Sequence, residues 1–413
     1  MQRRAVIAGV SAFLAVFVAG TLLVSLLRHA DAAGGSASPS AVSTGSPSPQ
    51  PEPGPSVDAY LAWVPGGLPP GFGARIAALP TIGQIAVVAA DNTWMTSSSD
   101  KDGALVDQPP SPYMIPIDAA AIDPGAYAKF LPPETRAIVA NLQDGQGILG
   151  QTSARLRHIG PGGVMRFLGG ASVTIIGILP DELVGAAELV VTRTTGASIG
   201  IAHNRYLLFQ PSAGLRPADA QLEKRFRGLL PPGLQYPVVQ VHAPGETKYL
   251  RMGDPVLPQA LIKKRFGEWS GRPQPGNSGF IEIDPTWIQE HIVTVTLPVL
   301  GRVSCNKKLV PQLRATMNHI VASGLEATIH ESDECFSARS ALSSPSASIS
   351  HHAWGAAIDV NADVNRFGTP PVQDPALVEL MKRWGFAWGG DWIVPDGMHF
   401  EYLGPPVRTR STE

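Results

Sequence analysis

Hydrophobic positions fall along this chain in three patterns. Residues 5–27, AVIAGVSAFLAVFVAGTLLVSLL, are apolar or small and carry no charge. At about 1.5 Å per residue such a helix is long enough to cross a hydrocarbon core. Arg3 and Arg4 precede it, which directs the remainder of the chain outward by the positive-inside tendency. Ala30 and Ala32 form an A-x-A pattern that also fits a cleaved signal peptide, although the run exceeds the usual apolar stretch of about 7–15 residues. Residues 1–29 are therefore expected to be a membrane anchor, or a signal sequence if cleaved. The protein is accordingly expected at the cell membrane with its working part extracytoplasmic, or secreted.

Residues 30–58, rich in Gly, Ser and Pro, lack the large apolar side chains a core needs and are predicted to be a linker. From residue 59 to 272 the pattern turns to short strands and turns. Val164–Leu168 and Ser172–Leu179 are strand-like and separated by Gly169 and Gly170, which suit a tight hairpin. A helix is expected around Ala218–Arg227. His158, His203 and His242 lie in separate segments and form no catalytic set.

Past residue 272 the elements become better defined. GNSGFIEIDP predicts a short strand, and Val293, Val295 and Leu297 alternate with Thr294 and Thr296 as in a half-buried strand. Pro311 opens a predicted helix through Ser323, with Leu313, Met317, Ile320 and Val321 on one side, His319 on its surface and Gly324 as its stop. Asp374 and Pro375 supply an N-cap and first position for a helix ending at Trp384, with Gly385 beyond it. His399–Tyr402 is predicted to be a final strand. The predicted class is α+β: a small antiparallel-sheet domain at 273–405, preceded by a β-rich α/β accessory domain at 59–272 and an N-terminal transmembrane helix, with a tail at 406–413.

Composition narrows the function classes. The 413 residues are 44% hydrophobic and 16% charged, which describes a folded rather than a disordered chain, and the net charge of −2 gives no field favouring nucleic acid. Cys305 and Cys335 are the two cysteines of the chain. In an oxidising compartment they suit one disulfide; a pair of zinc thiolates is the alternative, without a C-x-x-C spacing to support it.

The chemistry is concentrated in SISHHAWGAAIDVN, residues 348–361, and WGGDWIVPDGMHFEYL, residues 388–403. If Gly355 turns the chain, His352 on the loop and Asp359 on the following strand point to one centre. Two histidines and a carboxylate make a zinc set with a fourth position for water, leaving Asp396 to take a proton. His351 is read as a solvent-facing or supporting residue, and Ser350 as a hydrogen-bonding one. Glu401, two residues after His399, is a candidate supporting group, and Trp392 a candidate for lining a cleft.

Ser350-His351-His352-Ala353-Trp354-Gly355-Ala356-Ala357-Ile358-Asp359, together with Asp396 to His399, resembles the M15 peptidase family, which comprises VanY-type D-alanyl-D-alanine carboxypeptidases and L-alanyl-D-glutamate endopeptidases. The resemblance covers about residues 273–403 and implies a zinc peptidase domain. It makes His352, Asp359 and His399 the Zn2+ ligands and Asp396 the general base. Arg339 stands where these enzymes have an arginine facing the substrate, to polarise the scissile carbonyl or hold a carboxylate. The implied partner is a peptidoglycan stem peptide, most simply a D-Ala-D-Ala terminus, with endopeptidase cleavage as the alternative. A non-catalytic cell-wall-binding or sensor protein is the other reading. Residues 145–193 faintly resemble the extracytoplasmic domain of MacB-type permeases, which implies a membrane-protein partner for the middle domain.

Overall fold

The computed structural model describes residues 59–213, 219–251, 254–276, 279–341 and 348–407. The expected anchor, linker and most of the tail lie outside them. No helix among the described residues is long and apolar enough to cross a membrane.

The N-terminal lobe is built on one mixed sheet. Its order is Gln240–His242, Tyr60–Trp63, Asn204–Pro211, Ile82–Ser99, Ile115–Ile122, Leu189–Thr192, Gln146–Gly150, Ser172–Leu179 and Val164–Phe167, with Leu105–Asp107 paired to Ile82–Ser99. The last strand also pairs with Met95–Ser99 of the long strand, so six strands close into a ring. Two neighbouring pairs are parallel, Ile115–Ile122 with Leu189–Thr192 and Gln146–Gly150 with Ser172–Leu179. Alternation explains the two faces of a central strand: Ile117, Ala119 and Ala121 fill the ring, whereas Ala120 and Ile122 join a second core that includes Tyr206, Leu208 and Leu250. The Val164–Phe167 and Ser172–Leu179 hairpin forms as its sequence predicts, and Gly169 and Gly170 both take positive φ in its turn.

The C-terminal lobe holds a three-stranded antiparallel sheet ordered Ala357–Asp359, His399–Tyr402, Phe386–Trp388. Beside it lie the hairpin Ile292–Leu297/Gly301–Asn306 and the helices Val310–Ala322 and Pro375–Arg383. Asp374 caps the latter, its carboxylate accepting from the Ala376 and Leu377 amides. The Val310–Ala322 helix buries Leu313, Thr316, Met317 and Ile320, while Val321 is exposed. Its buried face is thus rotated from the expected one, because Thr316 bonds back to the Gln312 carbonyl at 2.8 Å and can enter the core. Cys305 and Cys335 form a disulfide, which rules out the thiolate-pair alternative. The C-terminal core also extends upstream of residue 273, taking in Ile262 and Phe266 of the helix Gln259–Phe266 and the indole of Trp269.

That helix joins the lobes. Glu188, wholly buried, accepts from Lys263 and from Gln259 at 2.9 Å and lies 3.6 Å from Arg157; Glu268 pairs with both cations. A row of indoles runs parallel to this contact: Trp94 of the large sheet, Trp269 at 6.5 Å, and Trp354 a further 5.3 Å on. Met114 and Gly271 exchange backbone hydrogen bonds at 2.8 Å. These contacts fasten the sheet of one lobe to the segment that enters the other.

Candidate metal centre

Three elements place the candidate ligands. Ser350 opens a short 3-10 turn, His351–Trp354, by accepting the His352 amide on its hydroxyl. Gly355 ends that turn at φ 63°, and a Cβ there would meet the Asn306 nitrogen at 2.6 Å, so both conformation and space require glycine. Past Gly355 the chain enters the strand Ala357–Asp359, whose register sets Asp359 directly opposite His399. A directly opposed cross-strand pair brings side chains of this length together, and a one-residue slip would send them to opposite faces.

The side chains converge. His399 Nδ1 lies 2.9 Å from Asp359 Oδ1 and 3.2 Å from His352 Nε2, and His352 Nε2 lies 3.2 Å from Asp359 Oδ2. One ligand atom from each residue falls within 4.8 Å of the others, and all three residues are buried. The outer nitrogens are committed elsewhere: His352 Nδ1 to the Cys335 carbonyl at 3.1 Å, His399 Nε2 to Glu401 Oε2 at 3.0 Å. With a metal bound, each outer nitrogen facing such an acceptor would carry the proton and the two inner nitrogens would turn their lone pairs to the ion. Three acceptors with one cation-sized centre fit a divalent metal of the kind imidazole and carboxylate bind. The disulfide thus does more than close a loop, since Cys335 supplies the carbonyl that orients His352.

Electrostatics agree with this arrangement. Burial opposes ionisation of Asp359, yet His352 and His399 hold its carboxyl well below the ordinary range. Burial likewise works against a charged His399, but the Asp359 and Glu401 carboxylates outweigh it and lift its pKa to about 10. Glu401, buried, is brought down to about 2 by His351, 2.9 Å away, and by His399. A proton therefore sits between Asp359 and His399 at neutral pH when no metal does. Metal uptake at pH 7 is expected to release about one proton, and affinity to rise with pH up to the His399 pKa. Calorimetry in two buffers of different ionisation enthalpy reads this directly; metal uptake with no proton release would contradict it.

Asp396 lies beside the cluster, close enough for its charge to interact with His352, Asp359, His399 and Arg339. Burial raises its pKa. Its Oδ1 is buried and has no hydrogen-bond partner, unlike a carboxylate that merely caps a turn. The backbone fixes it: the Asp396 amide donates to the Gly389 carbonyl at 2.8 Å, and its own carbonyl accepts the His399 amide at 3.1 Å. A Cβ at Gly389 would come within 2.5 Å of the Asp396 carbonyl oxygen, so glycine there permits the approach. Arg339 is half-buried in an antiparallel bridge with Phe280. Trp392 leans against His399 with ring centroids 5.3 Å apart.

The structure brings His352, Asp359 and His399 together, with Asp396 near enough for its charge to act on them and Arg339 near enough to act on Asp396. It adds the chain His351–Glu401–His399, of which only the two-residue spacing from His399 to Glu401 was a signal. The Cys335 carbonyl left no trace in the sequence, because any residue supplies a carbonyl.

Residues 344–402 match the M15 peptidase family model described as D-alanyl-D-alanine carboxypeptidase, a span that takes in His352, Asp359, Asp396 and His399. No curated protein matches the chain. Among solved structures, the periplasmic region of MacB from Actinobacillus actinomycetemcomitans is 10% identical, over 45% of this chain and 88% of that one, with a TM-score of 0.30. A putative permease domain from Porphyromonas gingivalis is 15% identical, over 49% and 94%, at 0.28. The extracellular domain of the noncanonical ABC-type transporter YknZ from Gram-positive bacteria is 14% identical, over 38% and 84%, at 0.25.

Proposed function

We propose, from the premise that residues 344–402 place this chain with the M15 peptidases, that it is a zinc-dependent hydrolase of peptidoglycan stem peptides, most simply a D-alanyl-D-alanine carboxypeptidase. One observation carries the reading: three buried acceptors, from His352, Asp359 and His399, converge beside the unpartnered carboxylate oxygen of Asp396. Zinc held by those three donors would supply Lewis acidity at a scissile carbonyl and lower the pKa of water. The residues of the chain do the rest. Asp396, its proton affinity raised by burial, takes a proton from the attacking water and returns it to the leaving amine. Glu401 and the Cys335 carbonyl hold the two imidazoles in the tautomers that ligation needs. Arg339, whose positive charge reaches Asp396, would hold the substrate's terminal carboxylate or polarise its carbonyl. An outward-facing chain tethered through residues 5–27 would work beside the wall peptide it cuts.

The test is product analysis by mass spectrometry on the full chain, loaded with zinc and incubated with a muropeptide pentapeptide. Chelator-sensitive loss of one terminal alanine is the expected result. A cut between L-alanine and D-glutamate would make the enzyme an endopeptidase. A protein that holds zinc and cuts neither bond would overturn the reading in favour of a wall-binding role.

A further inference from the structure

The segment that carries Asp396 is gripped by the other lobe. It runs from the 3-10 turn Gly389–Asp391 through Trp392, Ile393, Val394 and Pro395. The side chain of Ile393 leaves the C-terminal lobe and packs against the N-terminal core that includes Tyr206, Leu208 and Leu250. Its amide donates to Asp254 Oδ1 at 3.3 Å. Asp254 lies four residues after Leu250 in sequence; its carbonyl accepts the Val256 amide at 2.7 Å, and its carboxylate makes no other hydrogen bond or ion pair among the described residues.

The far end of the segment is held as well. The Pro395 carbonyl, one residue before Asp396, accepts the Gly368 amide at 2.7 Å. Gly368 and Phe367 in turn abut Tyr236 of the N-terminal lobe. The Phe367 and Tyr236 rings meet edge to face at 6.3 Å, and a Cβ on Gly368 would lie 2.8 Å from the Tyr236 hydroxyl. The segment is also closed within its own lobe by the Asp396 amide on the Gly389 carbonyl, and the two contacts add a hold from the N-terminal lobe on the residues just before Asp396.

We propose that the N-terminal lobe is a positioning module for the catalytic base: Asp254 and the core under Ile393 hold the middle of the Gly389–Asp396 segment, and Tyr236, through Gly368, holds it at Pro395, so that Asp254 is a positioning residue acting through Asp396. This rests on the reading of Asp396 as the base. A general base displaced by about 1 Å can lose about 100-fold in rate, so a contact remote from the reacting atoms carries a large kinetic effect. The accessory region is on this account a part of the enzyme rather than a passenger beside it.

The experiment compares Asp254→Ala and Asp254→Asn in the full chain by hydrogen exchange, zinc stoichiometry and steady-state kinetics. In Asp254→Ala, exchange across Trp392–Asp396 is expected to rise about tenfold, the factor expected of one lost hydrogen bond to a charged group. Its kcat is expected to fall about 10- to 100-fold with KM within about threefold and zinc content unchanged. Asp254→Asn keeps the acceptor oxygen and restores both readouts. Wild-type exchange and kcat in Asp254→Ala, or equal damage in both variants, would overturn the proposal. Exchange and zinc content are read without turnover, so a wild-type protein inactive on wall peptides would sink the peptidase reading while the grip on the segment is still decided.

Discussion

Asp396→Ala is expected to lower kcat by about 10²- to 10⁴-fold, the usual contribution of a positioned acid–base group, with zinc content unchanged. Retention follows from the geometry: the three acceptors that converge belong to His352, Asp359 and His399, and Asp396 is bonded to neither imidazole. Local structure also survives, because the hydrogen bonds that hold the segment at residue 396 are made by its backbone amide and carbonyl. His352→Ala provides the contrast. It removes a ligand and leaves the Cys335 carbonyl without its donor, so zinc and hydrolysis should be lost together. Kinetics and metal analysis on both variants check the pair. Normal turnover in Asp396→Ala would remove Asp396 from the role of base, and full zinc content in His352→Ala would remove His352 from the ligand set.

The ease with which this site is found in the sequence has a physical basis. His352, Gly355 and Asp359 lie within one turn and one strand, so local spacing fixes their relation, and the final strand begins at His399. Only the register between Ala357–Asp359 and His399–Tyr402 is a long-range fact, and it is constrained because one slipped residue would separate the ligands. The hairpin at Gly169–Gly170 and the capped helix Pro375–Arg383 are legible for the same reason: their signals are local. What the sequence hides depends on partners far along the chain. The ring closed by Met95–Ser99 on Val164–Phe167 needs a second edge for a strand that already has a neighbour. Thr316 enters the core in place of Val321 through a bond to its own helix. The pairing of His351 with Glu401 joins two residues 50 positions apart. Asp254 gives no signal at all, since its partner is a main-chain amide.

Glu188→Ala is expected to destabilise the protein by about 3–5 kcal/mol, the scale on which a buried pair fails when one member is removed. Burial by itself would raise the pKa of Glu188, but Lys263 and Arg157 keep it below its ordinary value, so the carboxylate is charged at neutral pH. Lys263 shows the converse, with burial lowering its pKa to about 8 against the pull of Glu188. Without the carboxylate, the two wholly buried cations keep Glu268 between them and Arg157 keeps Asp107, both partly exposed, while the Gln259 amide loses one of its two acceptors and the Asp118 backbone N–H loses its own. The damage falls where the helix Gln259–Phe266 leaves the large sheet for the C-terminal core, so both lobes should lose stability in one transition. Asp102→Ala is the control: its pairing with Lys101 is exposed at both ends, and no measurable change is expected. Urea unfolding followed by tryptophan fluorescence makes the comparison, since Trp94, Trp269 and Trp354 span the same contact. If Glu188→Ala unfolds at the wild-type midpoint, the charge cluster is not what fastens the lobes, and the indole row and the Met114–Gly271 bridge must suffice. Lys263→Met combined with Glu188→Ala separates the two causes. Removing both charges should recover part of the loss, because the expense lies in the stranded cation rather than in the missing attraction.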